Sequence, residues 1–172
     1  LRELREVRER TVIRTDDDMD DTSVPFIQAN SMERIISLLE NLYGNPMTPG
    51  QIAELMDFDL RQSDYYYNAG RYLGLFEKEN ADGQVLVRLT GLGERVFRMN
   101  YKPRQLKLVE LMLEHRIFAE FFDMGAKTGR YPDKKVIGRR MRELHVCSEG
   151  QIARRASSVE RWLEWIFNLT RL

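Results

Sequence analysis

Between Leu75 and Leu89 the spacing of apolar residues changes character, and no other stretch constrains the fold as strongly. On either side they recur every three or four residues, as one face of a helix requires. Here Leu75-Phe76-Glu77-Lys78 and Gln84-Val85-Leu86-Val87-Arg88-Leu89 read as two short strands flanking Asn80-Ala81-Asp82-Gly83. Asp-Gly tolerates the left-handed backbone of a tight primed turn, so the stretch reads as an antiparallel hairpin. A lone hairpin is marginal in water and needs helices to cover it.

Those helices are cued locally. Ser31 is an N-cap candidate, and Ile35, Leu38, Leu39 and Leu42 follow at helical spacing until Gly44-Asn45-Pro46. Thr48-Pro49-Gly50-Gln51 has the hydroxyl, the proline at the first helical position and the glutamine three residues after the cap that make a capping box. A third helix is expected from near Leu60 to about Leu73, stopped by Gly74, and Thr90 caps a fourth that carries Leu92, Val96, Phe97 and Met99. Three helices, a hairpin and a helix between residues 31 and 102 follow the order of a winged helix-turn-helix, with the hairpin as the wing and residues 60–73 in the recognition-helix position.

Residues 103–145 read as further helices interrupted at Gly125, Gly129 and Pro132. Ser148-Glu149-Gly150-Gln151-Ile152-Ala153 then echoes Thr48-Pro49-Gly50-Gln51-Ile52-Ala53, which suggests a second helix-turn-helix. Its last helix is expected to start at Ser157 or Ser158 and to place Val159, Trp162, Leu163, Trp165 and Ile166 in a core. The expected fold class is mainly α with a small β-hairpin wing, in two winged-helix/helix-turn-helix units. Residues 1–30 form an N-terminal helix and acidic linker, 31–102 the winged helix, and 103–172 the second helical unit.

The opening segment carries Leu1, Leu4, Val7 and Val12 on one amphipathic stripe. Asp16-Asp17-Asp18-Met19-Asp20-Asp21 follows, and its self-repulsion reads as a solvated linker. A metal loop here lacks the EF-hand spacing and glycine. A first residue other than Met fits a piece of a longer protein. At 172 residues the chain is long enough for one domain or two small ones. The absence of a long apolar run argues against a membrane span, and a single cysteine, Cys147, argues for a reducing, cytoplasmic setting.

Net charge is zero, but the charge is polarised. Residues 31–90 hold 5 Lys/Arg against 9 Asp/Glu, whereas residues 130–172 hold 10 against 5. A basic face can therefore attract a polyanion although the total is neutral; a solvated, Arg-rich helical surface accounts for the same numbers. On the expected first recognition helix, Arg61, Gln62 and Asn68 have the donors and acceptors that suit base edges, and Tyr65 can reach phosphate. In the second unit Arg139, Arg140, Arg142, Arg154, Arg155 and Arg161 cluster around a helix start at Ser157 and Ser158, a natural phosphate clamp.

No catalytic constellation, metal site or cofactor motif is expected. His115, His145 and Cys147 are weak as a zinc set. Gly91-Leu92-Gly93 lacks the context of a phosphate loop, and Pro132-Asp133-Lys134-Lys135 lacks the second acidic strand of a nuclease. Asn168-Leu169-Thr170 is a sequon that matters only in a secreted protein.

Arg61-Gln62-x-Asp64-Tyr65-Tyr66, Tyr72-Leu73-Gly74-Leu75, Leu89-Thr90-x-x-Gly93 and Arg154-Arg155-Ala156-Ser157-Ser158-Val159-x-x-Trp162-x-x-Trp165-Ile166 together resemble tandem winged-helix modules of prokaryotic restriction-type DNA-processing proteins. The resemblance implies a non-catalytic specificity or targeting module on double-stranded DNA. A nuclease or ATPase domain or subunit, or a second copy of the chain, would be its further partner. The alternatives are a winged helix that assembles protein subunits through its acidic face and N-terminal helix, and a transcriptional regulator.

Overall fold

The computed structural model describes residues 1–169. The chain is mainly helical with one two-stranded antiparallel hairpin, as the apolar spacing and the Asp-Gly turn require. The helices are α1 (Arg2–Arg10), α2 (Met32–Leu42), α3 (Pro49–Met56) and α4 (Leu60–Tyr72), then α5 (Gly91–Arg98), α6 (Tyr101–Leu113), α7 (Arg116–Thr128), α8 (Lys134–Leu144) and α9 (Ile152–Asn168). The hairpin strands β1 (Phe76–Ala81) and β2 (Gln84–Leu89) lie between α4 and α5.

The local signals act as expected. Thr48 and Gln51 close a capping box on α3, and Asp59 and Gln62 close another on α4. Asp82 and Gly83 take φ of 51° and 78°, and this turn aligns Phe76 with Leu89 and Ala81 with Gln84. Met47, just before α3, exchanges backbone hydrogen bonds with Val87 at 3.0 and 2.7 Å. This ties the hairpin back to the helices in the order the sequence suggests for the first unit.

Several details depart from the sequence reading. Leu4 and Val7 of α1 are buried, but Leu1 and Val12 are exposed. Gly125 does not interrupt a helix: it lies inside α7, where a Cβ would come within 2.6 Å of the Phe167 ring. Close ring approach, not helix breaking, is the reason for a glycine there. The last helix does not start at Ser157 or Ser158. A short 3-10 turn at Glu149–Gln151 leads directly into α9, which runs unbroken through both serines.

The acidic run is irregular in backbone but is not a solvated linker. Each carboxylate from Asp16 to Asp18 meets its own distant side chain: Asp16 pairs with Arg116, Asp17 with His115 Nδ1, and Asp18 with His145 Nδ1. Those partners come from about 100 residues away or more, so the run is held by contacts that it could not make alone. The segment after it is equally engaged. Phe26, Ile27 and Ala29 are buried, and α9 holds them through three side chains one turn apart. Arg155 donates to the Phe26 carbonyl (2.7 Å), Ser158 Oγ to Asn30 Oδ1 (2.7 Å) and Trp162 Nε1 to the Ala29 carbonyl (2.8 Å). One cluster of buried apolar side chains takes members from Leu4 to Ile166.

Candidate nucleic-acid interface

The sequence-derived candidates separate into three places. On α4, Arg61 is exposed with no bonded partner among the described residues, and Tyr65 and Asn68 are half-buried. Gln62 Oε1 accepts from the Asp59 amide in the capping box, so that acceptor is engaged in holding the helix start. Helical packing explains the remainder of α4: Tyr66 stacks on Phe58 at 4.7 Å, and Tyr67 lies under Lys78 Nζ at 4.4 Å.

On α9 the expected phosphate clamp is corrected. Its serines lie within the helix, where the backbone amides are already used. Ser157 Oγ donates to the Ala153 carbonyl, and Ser158 is fully buried against Asn30. Arg155 is bound to Phe26, and burial pulls its pKa down, partly offset by the nearby Cys147 and Tyr65. Arg140 makes a bidentate pair with Glu120 at 3.0 and 2.7 Å, which raises its pKa. These side chains hold the fold: Arg140 is neutralised by Glu120, and Arg155, which has no acidic partner among the described residues, is half-buried against the Phe26 carbonyl.

Arg139 and Arg154 remain exposed and without a bonded partner among the described residues, and they meet across a groove between α8 and α9. The groove has a volume of about 680 Å³ and an apolar floor at Gly138, Ile152, Ala153 and Ala156. Lys134, Lys135 and Arg142 line it as well. Its one acidic side chain, Glu149, pairs with Arg142 at 2.7 Å. That leaves Lys134, Lys135, Arg139 and Arg154 uncompensated. Asp133 caps the amides of Lys135 and Val136, so an anion here would meet side-chain cations and not the helix terminus. The lysines escaped the sequence-derived set, yet Lys135, Arg139 and Arg142 lie at positions i, i+4 and i+7. That spacing was a readable signal.

Arg161 is exposed too, but lines a different cavity, between α2, α6 and α9. Cys147 is buried and its thiol pKa is raised chiefly by that burial, which makes it a poor nucleophile. Asp18, Asp20 and His145 bring ligand atoms within 4.8 Å of one another, a conjunction the sequence did not suggest. The same His145 Nδ1 sits 3.2 and 3.3 Å from the two carboxylates, so their contact with the imidazole accounts for the arrangement. Thr170 of the sequon lies outside the described residues.

A family model described as a domain of unknown function, DUF7226, matches residues 34–171. The chain belongs to the DUF7226 family. No curated protein and no solved structure matches it. The matched DUF7226 region includes the whole α8–α9 groove and His115, which pairs with Asp17, but starts within α2. The α1 helix and the segment that α9 holds therefore lie outside it while contributing to the same core. No helix among the described residues of this DUF7226 chain is long and apolar enough to cross a membrane.

Proposed function

We propose that the protein is a cytoplasmic, non-catalytic module that binds duplex DNA, acting as the specificity or targeting part of a prokaryotic restriction or DNA-processing system. The observation that carries this reading is the α8–α9 groove, with four uncompensated cations over an apolar floor. Dense cationic side chains on one face favour a phosphate backbone because binding releases its condensed counterions. The acidic surface of residues 31–90 disfavours a second backbone contact there, so α4 would contribute base discrimination through Arg61 and Asn68. A nuclease or ATPase domain or subunit would supply the chemistry. Subunit assembly through α1 is less well supported, since the apolar face of α1 is already packed inside the chain.

The double variant Lys135→Ala/Arg139→Ala is expected to weaken binding to every duplex sequence. Each phosphate contact contributes about 0.9 to the slope of log affinity against log salt, so the slope should fall by roughly 1.8. Fluorescence anisotropy across a salt titration measures it. An unchanged slope with intact folding would remove the groove from the interface.

A further inference from the structure

The cavity between α2, α6 and α9 has a volume of about 620 Å³, within the usual range of small-molecule sites. Gln105 of α6 lines it, is only 5% exposed, and forms no side-chain hydrogen bond with any described residue. The residue is buried, but its amide nitrogen and oxygen are not sealed off, so they meet whatever occupies the cavity. An unpartnered amide at a cavity wall keeps an acceptor and a donor side by side for whatever enters. Aromatic surface flanks it: Trp165 is half-buried in the wall, and Tyr101 stands at the exposed rim.

Charge narrows the ligand. Glu40 and Arg104 sit 3.6 Å apart and largely cancel, which leaves Glu33 and Glu164 against Arg161. Among the described residues the lining is net acidic, which disfavours phosphate. We propose that this cavity binds an uncharged planar heterocycle with adjacent donor and acceptor atoms on one edge, the chemistry of a nucleobase or nucleoside. Gln105 reads that edge in the bidentate manner an amide allows, and the aromatic walls take the planar faces. The site is separate from the α8–α9 groove and does not depend on DNA binding.

The test titrates the full chain with adenosine, cytidine, guanosine and uridine, and with their 5′-monophosphates, following tryptophan fluorescence and the side-chain amide resonances of Gln105. At least one nucleoside should bind saturably and move the Gln105 resonances, with its monophosphate bound roughly tenfold more weakly, a difference of about 1.4 kcal/mol. Gln105→Met should lower that affinity at least about tenfold while melting at the same or a higher temperature, because the side chain it replaces has no protein partner. Lys135→Ala/Arg139→Ala should bind the nucleoside normally, so failure of the DNA reading would leave this one standing. The proposal is overturned if no nucleoside saturates, if the Gln105 resonances stay put, or if a monophosphate binds as tightly as its nucleoside. A folded Gln105→Met protein that keeps its affinity also overturns it. Should that variant not fold, the wild-type resonances and the monophosphate comparison still decide.

Discussion

Replacing Trp162 with alanine is expected to lower stability by about 3–5 kcal/mol, a large part of what a domain of this size possesses. Trp162 is fully buried on α9, with its ring stacked on Phe118 at 5.5 Å and edge-on to Tyr72 at 6.0 Å. Two losses coincide in the variant. A large void opens between α7 and α9, and the Ala29 carbonyl loses its indole donor, so the extended segment before α2 is loosened as well. Trp165, only half-buried, should lose less than half as much on the same change. Urea denaturation of both variants gives the comparison. Equal losses would show that the burial difference between the two does not govern stability here.

Breaking the buried pair of Asp17 and His115 is expected to have a comparable effect. His115 Nδ1 lies 2.8 and 3.0 Å from the two Asp17 oxygens, and its Nε2 lies 3.1 Å from the Tyr72 carbonyl. Tyr72 donates its hydroxyl to Asp17 Oδ2 at 2.5 Å and stacks on the imidazole at 3.7 Å. Asp17→Ala leaves two buried groups, the Tyr72 hydroxyl and His115 Nδ1, without their shared partner, a loss of about 3–5 kcal/mol.

The same site gives an alkaline signature. Burial, then the Asp17 charge and hydrogen bond, push the Tyr72 pKa well above its ordinary 10.0. The folded state therefore holds that proton more tightly than the unfolded chain does. The resulting stability is fully present below about pH 10 and is lost as pH rises beyond it. Tyr72→Phe should flatten the decline. A smaller slope should remain, because burial also raises the Tyr67 and Tyr131 hydroxyls. Urea midpoints between about pH 9 and about pH 11 measure this. An identical decline in wild type and Tyr72→Phe would mean that the phenol does not contribute.

How much could be read in advance depends on the range of each interaction. Thr48 with Gln51, Ser31 with Arg34, and Thr90 with Gly93 are bonds spanning three residues, and each places a helix start where the sequence suggests. Asp82-Gly83 is equally local and sets the hairpin register unaided. The serines of α9 show where local reasoning stops. Ser157 and Ser158 favour a helix start by propensity, but Ile152, Ala156 and Val159 are buried on the same helix, and their packing carries it through both residues.

The candidate site divides along the same line. Arg139 and Arg154 were visible as charges, and the stripe of Lys135, Arg139 and Arg142 follows from helical spacing alone. Their convergence with Arg154 on one groove depends on how α8 packs against α9. Arg140, Arg155 and Ser158 look in sequence like members of the same basic cluster, but partners 20 to 129 residues away claim them. Asp17 is one of five aspartates in a six-residue run, and nothing nearby marks it as the buried one. Helix ends, the hairpin and the charge polarity come from bonds and repulsions within a few residues, which amino-acid order specifies directly. Which charges stay free, which are paired and which polar groups face a cavity come from contacts between residues distant in the chain, and those exist only once the helices have packed.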